Sequence, residues 1–293
     1  MTYHHLMIKF LSALALLITS SAFGQYETHL ALQKSSFLIG EPVLATITIT
    51  NRAGTDVILG GVGARPWLQF QFADTEGRVL PAVSLSSKDP IKLKAGGTTR
   101  HTAEIEGNAS TSTLGTFYTT ASIYHPLSEQ YYITNRARIT VTDGKPMFDK
   151  TFGVPAGYAQ AGRARRYQLI IFRDVDSIQF YSRLVDDRTK DNLTTQLLGP
   201  ITSSLQPQAE IDIKNRLQVL FMAQQHVFCH TIVNPDGKIA KRDYYLDDEG
   251  DNRPTLVLTK TGASILGGRY FDPNKPPEAA KGIRKASERP KGL

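Results

Sequence analysis

The chain is poor in the residues that staple small proteins together. It has one cysteine and one tryptophan in 293 residues. A lone cysteine closes no intramolecular disulfide, so a chain this long must be held by an apolar core. After the first two dozen residues no run is apolar enough to cross a bilayer. With 41% hydrophobic and 21% charged residues, the composition is that of a globular chain and excludes a disordered or coiled-coil one. The length predicts about two domains.

The net charge of +7 raises a nucleic-acid or acidic-surface partner, and its distribution decides the matter. Residues 25–150 and 151–274 each carry a net charge of +1, and the last nineteen residues carry +4. The excess is therefore a basic tail on two nearly neutral regions. No folded segment carries a basic face for nucleic acid. Residues 275–293 hold prolines and lysines and almost no large apolar side chains, which predicts a disordered tail able to touch anionic surfaces in a salt-dependent way.

The N-terminus reads as an export signal. Lys9 is followed by the apolar stretch Phe10–Ile18, and then by Ser20-Ser21-Ala22-Phe23-Gly24 with small residues at Ala22 and Gly24. That is a signal peptide over residues 1–24, cleaved before Gln25. The alternative is an uncleaved anchor, which the short apolar run disfavours. No cysteine follows to carry a lipid. The expectation is a periplasmic or extracellular protein with no transmembrane segment after cleavage.

Residues 25–145 predict about seven short strands. In Gly40–Asn51, Val43, Ala45, Ile47 and Ile49 share one face, and Leu44, Thr46, Thr48 and Thr50 the other. Asn51-Arg52-Ala53-Gly54 ends that strand. Leu68, Phe70 and Phe72 alternate with Gln69 and Gln71 before the turn Asp74-Thr75-Glu76-Gly77. Residues 146–165 hold Pro146, Gly153, Pro155, Gly157 and Gly162. They read as a linker, with one helical turn over Tyr158–Tyr167.

A second strand-rich region spans 166–274. Strands are predicted at Tyr167–Phe172, Ile178–Val185, Leu217–Ala223 and Val227–Val233. The turn Asn234-Pro235-Asp236-Gly237 then leads into the return strand Lys238–Tyr245. Thr255–Thr259 and Ser264–Tyr270 form a last hairpin. Arg166–Gln168 echoes Arg216–Gln218, and Leu184-Val185-Asp186 echoes Ile232-Val233-Asn234, which suits a duplicated meander. Ile265–Gly268 before Arg269-Tyr270 resembles the edge of a kelch-type blade, but two candidate blades are too few for a propeller. The fold class is all-β: two domains, an antiparallel β-sandwich and then a second antiparallel meander or sandwich.

Phe37-Leu38-Ile39-Gly40-Glu41-Pro42-Val43, with its alternating strand and Asn51, resembles the opening of bacterial immunoglobulin-like domains of the proteinase-inhibitor and macroglobulin type. Leu114-Gly115-Thr116-Phe117-Tyr118, with Ala121 and Ile123, resembles their late aromatic-corner strand. The resemblance covers residues 27–145 and implies an Ig-like sandwich. It carries over no inhibitory residue.

No constellation for catalysis, cofactor or metal emerges. On a strand Cys229 points away from His226 and His230, and those two lie about 13 Å apart at ~3.3 Å per residue. A partner for Cys229 among His29, His101 and His125 stays open, with a buried structural thiol preferred. Asp243, Asp247, Asp248, Glu249, Asp251 and Asn252 lack the spacing of a calcium loop and read as a solvated turn. Gly157 to Gly162-Arg163 lacks the lysine and hydroxyl of a phosphate loop. Arg163, Arg165 and Arg166 read as a solvated linker. Tyr118, Tyr124, Tyr131, Tyr132 and His125 fit either ligand binding or packing. Asn108 and Asn192 stand in glycosylation sequons. The expected function is a non-catalytic binding or adaptor protein of the cell envelope, its partner an envelope protein or polysaccharide. The alternatives are a proteinase-inhibitor-like module and a hydrolase using Cys229 or an unrecognised carboxylate pair.

Overall fold

The computed structural model describes residues 25–61, 63–85, 90–105, 112–173, 177–202, 204–247, 252–260 and 262–275. The predicted signal peptide, the Asn108 sequon, Asp248–Asp251 of the acidic loop and all but the first residue of the predicted tail lie outside them. Among the described residues every regular element is a strand, and the strands pair mostly antiparallel, as in Tyr26–Leu32 with Val43–Asn51 and Ala164–Arg173 with Ile178–Asp186. Packing divides the chain into two compact units, Met1–Phe37 with Pro42–Thr142, and Leu38–Glu41 with Asp143–Leu293.

In the first unit, β1 (Tyr26–Leu32), β2 (Ser36–Leu38), β3 (Val43–Asn51), β4 (Val57–Leu59), β5 (Leu68–Asp74) and β6 (Val79–Leu85) come first. They are followed by β7 (Ile91–Leu93), β8 (Thr98–Ile105), β9 (Gly115–His125), β10 (Gln130–Ile133) and β11 (Ala137–Thr142). One sheet runs β1-β3-β8 and another β2-β11-β9-β5-β6, with β10 on β9 and a short β4-β7 pair beside them. The alternation in β3 is realised: Val43, Ala45, Ile47 and Ile49 are fully buried. Asn51 ends β3 from inside the core. Its amide donates to the Thr55 and Lys94 carbonyls at 2.9 and 3.1 Å, and its oxygen accepts from the Ala53 N–H at 2.9 Å. One buried side chain thus satisfies the backbone of two turns.

The second unit contains β12 (Pro146–Gly153), β13 (Ala164–Arg173), β14 (Ile178–Asp186), β15 (Asn192–Pro200), β16 (Gln208–Ile211) and β17 (Leu217–Gln224). After them come β18 (Val227–Val233), β19 (Ile239–Leu246), β20 (Thr255–Thr259), β21 (Gly262–Leu266) and β22 (Arg269–Phe271). One sheet follows chain order, β12-β13-β14-β15, and the other follows it as β16-β17-β18-β19 before adding β22. The two sheets share one core: Phe152, Tyr167, Leu169, Phe180 and Leu184 on one side, Leu217, Val219, Phe221 and Val233 on the other. The echo between Arg166–Gln168 and Arg216–Gln218 falls on matching places. Each opens the second strand of its meander, and Tyr167 and Leu217 both enter the shared core.

Three expectations are corrected here. Residues 146–153 are strand β12, not linker: Phe152 is buried and stacks on Tyr167 with ring centroids 4.2 Å apart, an apolar anchor that outweighs the flanking glycines and prolines. Tyr158–Tyr167 forms no helical turn; tight turns lead to Ala164, where β13 starts. The last hairpin also ends earlier than predicted. β20 pairs with β21, whereas Tyr270 pairs with Tyr245 of β19. Gly267 and Gly268 both take positive φ, 76° and 67°, and turn the chain from one sheet into another.

The predicted turn at Asn234–Gly237 is present. The Gly237 N–H donates to the Asn234 carbonyl at 2.8 Å, and Gly237 has φ 86°. A Cβ there would lie 2.0 Å from Thr194 Cγ2.

Candidate cavity between the sheets of the second unit

A half-open cavity of about 430 Å³ lies at one end of the shared core. Two β-bulges account for its position. On β15 the register shifts opposite Phe180 and Tyr181, leaving Leu198 as the extra residue; on β17 it shifts between Met222 and Gln224, leaving Ala223. Both extra residues line the cavity. A bulge turns a side chain out of its alternation and increases local twist, so each of these bulges re-aims one side chain to the cavity wall. Leu198 is buried beside its exposed neighbour Leu197, as that re-aiming requires.

The remaining wall is mainly apolar, from Phe221, Val227, Leu246 and, on β22, Phe271, with the exposed Gln224 as its other polar side chain. Tyr244 and Cys229 stand directly opposite each other on β19 and β18 and bring the polar atoms. Burial pushes the Cys229 thiol above its ordinary pKa, outweighing its contacts with Thr231, Arg242 and Tyr244, so it stays protonated. Burial likewise raises the Tyr244 phenol, against the pull of the neighbouring Arg242. Both groups enter the cavity neutral.

The structure does not bring Cys229 together with either nearby histidine. His226 sits in the β17–β18 turn with φ 60°. His230 points to the other face of its sheet, where its Nε2 meets Gln218 Oε1 at 3.0 Å. Gln218 donates in turn to the Asp212 carboxylate at 2.8 Å. That orders Nε2 as the donor nitrogen, because the glutamine oxygen can only accept. The Asp212–Gln218–His230 chain was not legible in the sequence; only the two-residue spacing of Gln218 from Arg216 hinted at a shared face. Burial works against ionisation of Asp212, but the Arg216 backbone N–H, the Arg216 guanidinium and Gln218 together hold its pKa below the usual value. Among the described residues, no group of three or more His, Cys, Asp and Glu is placed to hold a metal ion.

Of the arginine cluster, Arg163 is exposed in the loop before β13, but Arg165 and Arg166 are not part of a solvated linker. Arg165 is buried, and donates to the Pro235 carbonyl at 2.8 Å and the Ala159 carbonyl at 3.0 Å. Arg166 pairs with Asp149 at 2.9 Å. Both belong to β13, and a strand beside a packed turn gives them partners that a linker lacks. In the acidic stretch, Asp243 and Asp247 are buried, and Asp243 pairs with Lys241 at 2.7 Å, so these two are not part of a solvated turn. The Asn192 amide donates to the Ile39 carbonyl and to Thr195 Oγ1, which engages the nitrogen a glycan would need.

In the first unit, Tyr132 and His125 pack with Tyr26 at centroid separations of 5.1 and 4.6 Å to Tyr26, and Arg136 lies 3.7 Å over Tyr118. Tyr124 and Tyr131 lie 5.1 Å apart with their rings tilted at 49°, and Tyr124 and Arg65 border a cavity of only about 70 Å³. Packing accounts for these aromatics, and that volume is below the range of small-molecule sites, ~300–1,000 Å³. The cavity at Leu198 and Ala223 is within it, as is a polar one of about 400 Å³ at Arg163 and Asp186–Arg188.

No family model matches the chain, and no curated protein matches it. Among solved structures, the chain is similar to the sporulation control protein Spo0M of Bacillus subtilis at 10% identity and a TM-score of 0.31, covering 58% of this chain and 83% of that one. It is also similar to a DUF4785 family protein of Legionella pneumophila, at 10% identity and a TM-score of 0.27 over 75% and 56% of the two chains. A third likeness is to the alkylpurine DNA glycosylase AlkC of Pseudomonas fluorescens, at 13% identity and a TM-score of 0.29 over 43% and 33%. At these scores the likenesses assign neither a fold family nor a function.

Proposed function

We propose that this chain is an exported, non-catalytic binding protein of the cell envelope, and that the cavity of its second unit is the ligand site. The observation that carries the reading is the chemistry of the cavity wall: its walls are apolar, and its two inner polar groups, Cys229 and Tyr244, are held neutral by burial. A neutral thiol without a histidine base is a poor nucleophile, whereas an apolar recess of this size suits binding. Export is supported by Lys9, the apolar Phe10–Ile18 and the small residues before Gln25. Among the described residues no helix is long and apolar enough to cross a membrane. In this reading the first unit is an Ig-like sandwich and the second a sandwich of two meanders, supported by the buried alternation of β3 and the shared core of the facing sheets.

The test is binding of the neutral dye phenylnaphthylamine, which fluoresces in apolar surroundings. The protein is expected to enhance its emission saturably, and Val227→Trp, which fills the cavity from its half-buried rim, to abolish the effect while the protein keeps its circular dichroism. An unenhanced dye, or enhancement indifferent to Val227→Trp, overturns the reading.

A further inference from the structure

We infer that the cavity takes a single unbranched acyl chain with an acidic head group, the chain lying between the sheets and the head meeting Arg242. The inference rests on the binding reading above and names its ligand class.

The chain end follows from the wall. Among the described residues, none of the buried polar atoms left without a partner belongs to a cavity-lining residue. A ligand with polar atoms along its length would lose its water there and gain nothing in return. The recess also meets a strand. Tyr244 and Leu246 of β19 both line it, and Arg242 is the next residue on that face, about 13 Å along the strand from Leu246 at ~3.3 Å per residue. A chain laid along β19 from Leu246 past Tyr244 therefore ends at Arg242.

The head end follows from Arg242. It neighbours Tyr244 closely enough to oppose the rise of that phenol's pKa, and its Nη2 donates to the Leu197 carbonyl at 3.1 Å, one residue before Leu198 of the cavity wall. The guanidinium is thus fastened near the rim by a neutral carbonyl. Among the described residues Arg242 has no carboxylate partner, unlike Arg52, Arg78, Arg166, Arg183 and Arg216. A guanidinium offers five donors in a fixed fork that fits a carboxylate or phosphate. β22 pairs only with Tyr244–Leu246, which leaves Arg242 exposed at the sheet edge where a head group can reach it from solvent.

The acidic head could belong to a free fatty acid or to a single-chain lipid phosphate, and the experiment separates them. Dodecanoate, lysophosphatidic acid and the neutral dodecanol are titrated against protein carrying phenylnaphthylamine. At least one of the two acids is expected to displace the dye about tenfold more tightly than dodecanol, the worth of a charge-assisted hydrogen bond. The tighter acid identifies the source. Arg242→Gln is expected to abolish the preference while leaving dodecanol unchanged, and Arg242→Lys to restore part of it. Acids no tighter than dodecanol, or an Arg242→Gln variant that keeps the preference, overturn the inference while the cavity stands as a binding site. Absence of dye binding to the wild type overturns the functional reading, and this inference with it.

Discussion

Leu198 and Ala223 stand in different sheets of the second unit, yet they occupy the same structural role. Each is the unpaired residue of a β-bulge, and each side chain lines the same cavity. The recess is therefore a product of backbone register, and it can be altered from either sheet. Ala223→Leu is expected to fill it, weakening phenylnaphthylamine binding at least tenfold with little loss of stability. Leu198→Ala is expected to enlarge it and to cost about 2–4 kcal/mol in urea unfolding. Dye affinity and unfolding midpoints of the two variants check the pair of effects; equal affinities in both would separate the bulges from the site.

Cys229 is expected to behave as a packing residue. It is 1% exposed, and its thiol is held protonated. Native protein should be inert to a disulfide reagent such as Ellman's, with reaction appearing along the urea unfolding curve. Cys229→Ala should cost about 1 kcal/mol and leave dye binding intact. Fast labelling of the native protein would revive a reactive thiol.

Burial holds the His230 imidazole below its ordinary pKa, against the opposing pull of Asp243. The folded protein therefore refuses a proton that the unfolded chain accepts. His230's contribution is fully present above the unfolded value of about 6.5 and is lost as pH falls through it. His230→Gln, which can still donate to Gln218, should remove that part of the slope. Urea midpoints of wild type and variant between about pH 8 and pH 5 measure it, and parallel curves would exclude His230.

Gly237→Ala should destabilise the second unit by about 2 kcal/mol, because an alanine would be strained at φ 86° and its Cβ would press on Thr194. A thermal melt reads the effect. Gly157→Ala, with positive φ but nothing within 4 Å of the added Cβ, supplies the comparison and should cost less.

The basic tail predicts a salt-dependent contact with anionic surfaces. The full chain should co-sediment with vesicles containing phosphatidylglycerol at low salt and release at high salt. A chain ending at Asn274 should not bind. Equal sedimentation of both would move the attraction elsewhere.

The sequence was most legible where alternation was regular. The β3 residues Val43 to Ile49 and the Asn234–Gly237 turn stand where their pattern put them. β15 was missed, because Asn192, Thr194, Thr195 and Gln196 give it a polar look and Gly199-Pro200 reads as a break. Yet β15 brings Leu198 to the cavity. The site was hidden for the same reason: a bulge breaks the period of two, and in Val219–Ala223 a continuous apolar run leaves no period to be broken. Arg165 was misread because its partners are carbonyls of Ala159 and Pro235, and a backbone acceptor leaves no mark in the sequence.

Each meander of the second unit runs through its sheet in chain order, so every ladder from β12 to β15, and again from β16 to β19, joins neighbours in sequence. Hydrogen bonding within each sheet thus needs only short loops to close, while the shared core needs both halves. A chain emerging from a ribosome or a translocation channel can complete the first ladder set alone. It then presents Tyr167, Phe180 and Leu184 to solvent until Leu217 and Phe221 arrive. A chain cut between β15 and β16 is expected to aggregate through that waiting face.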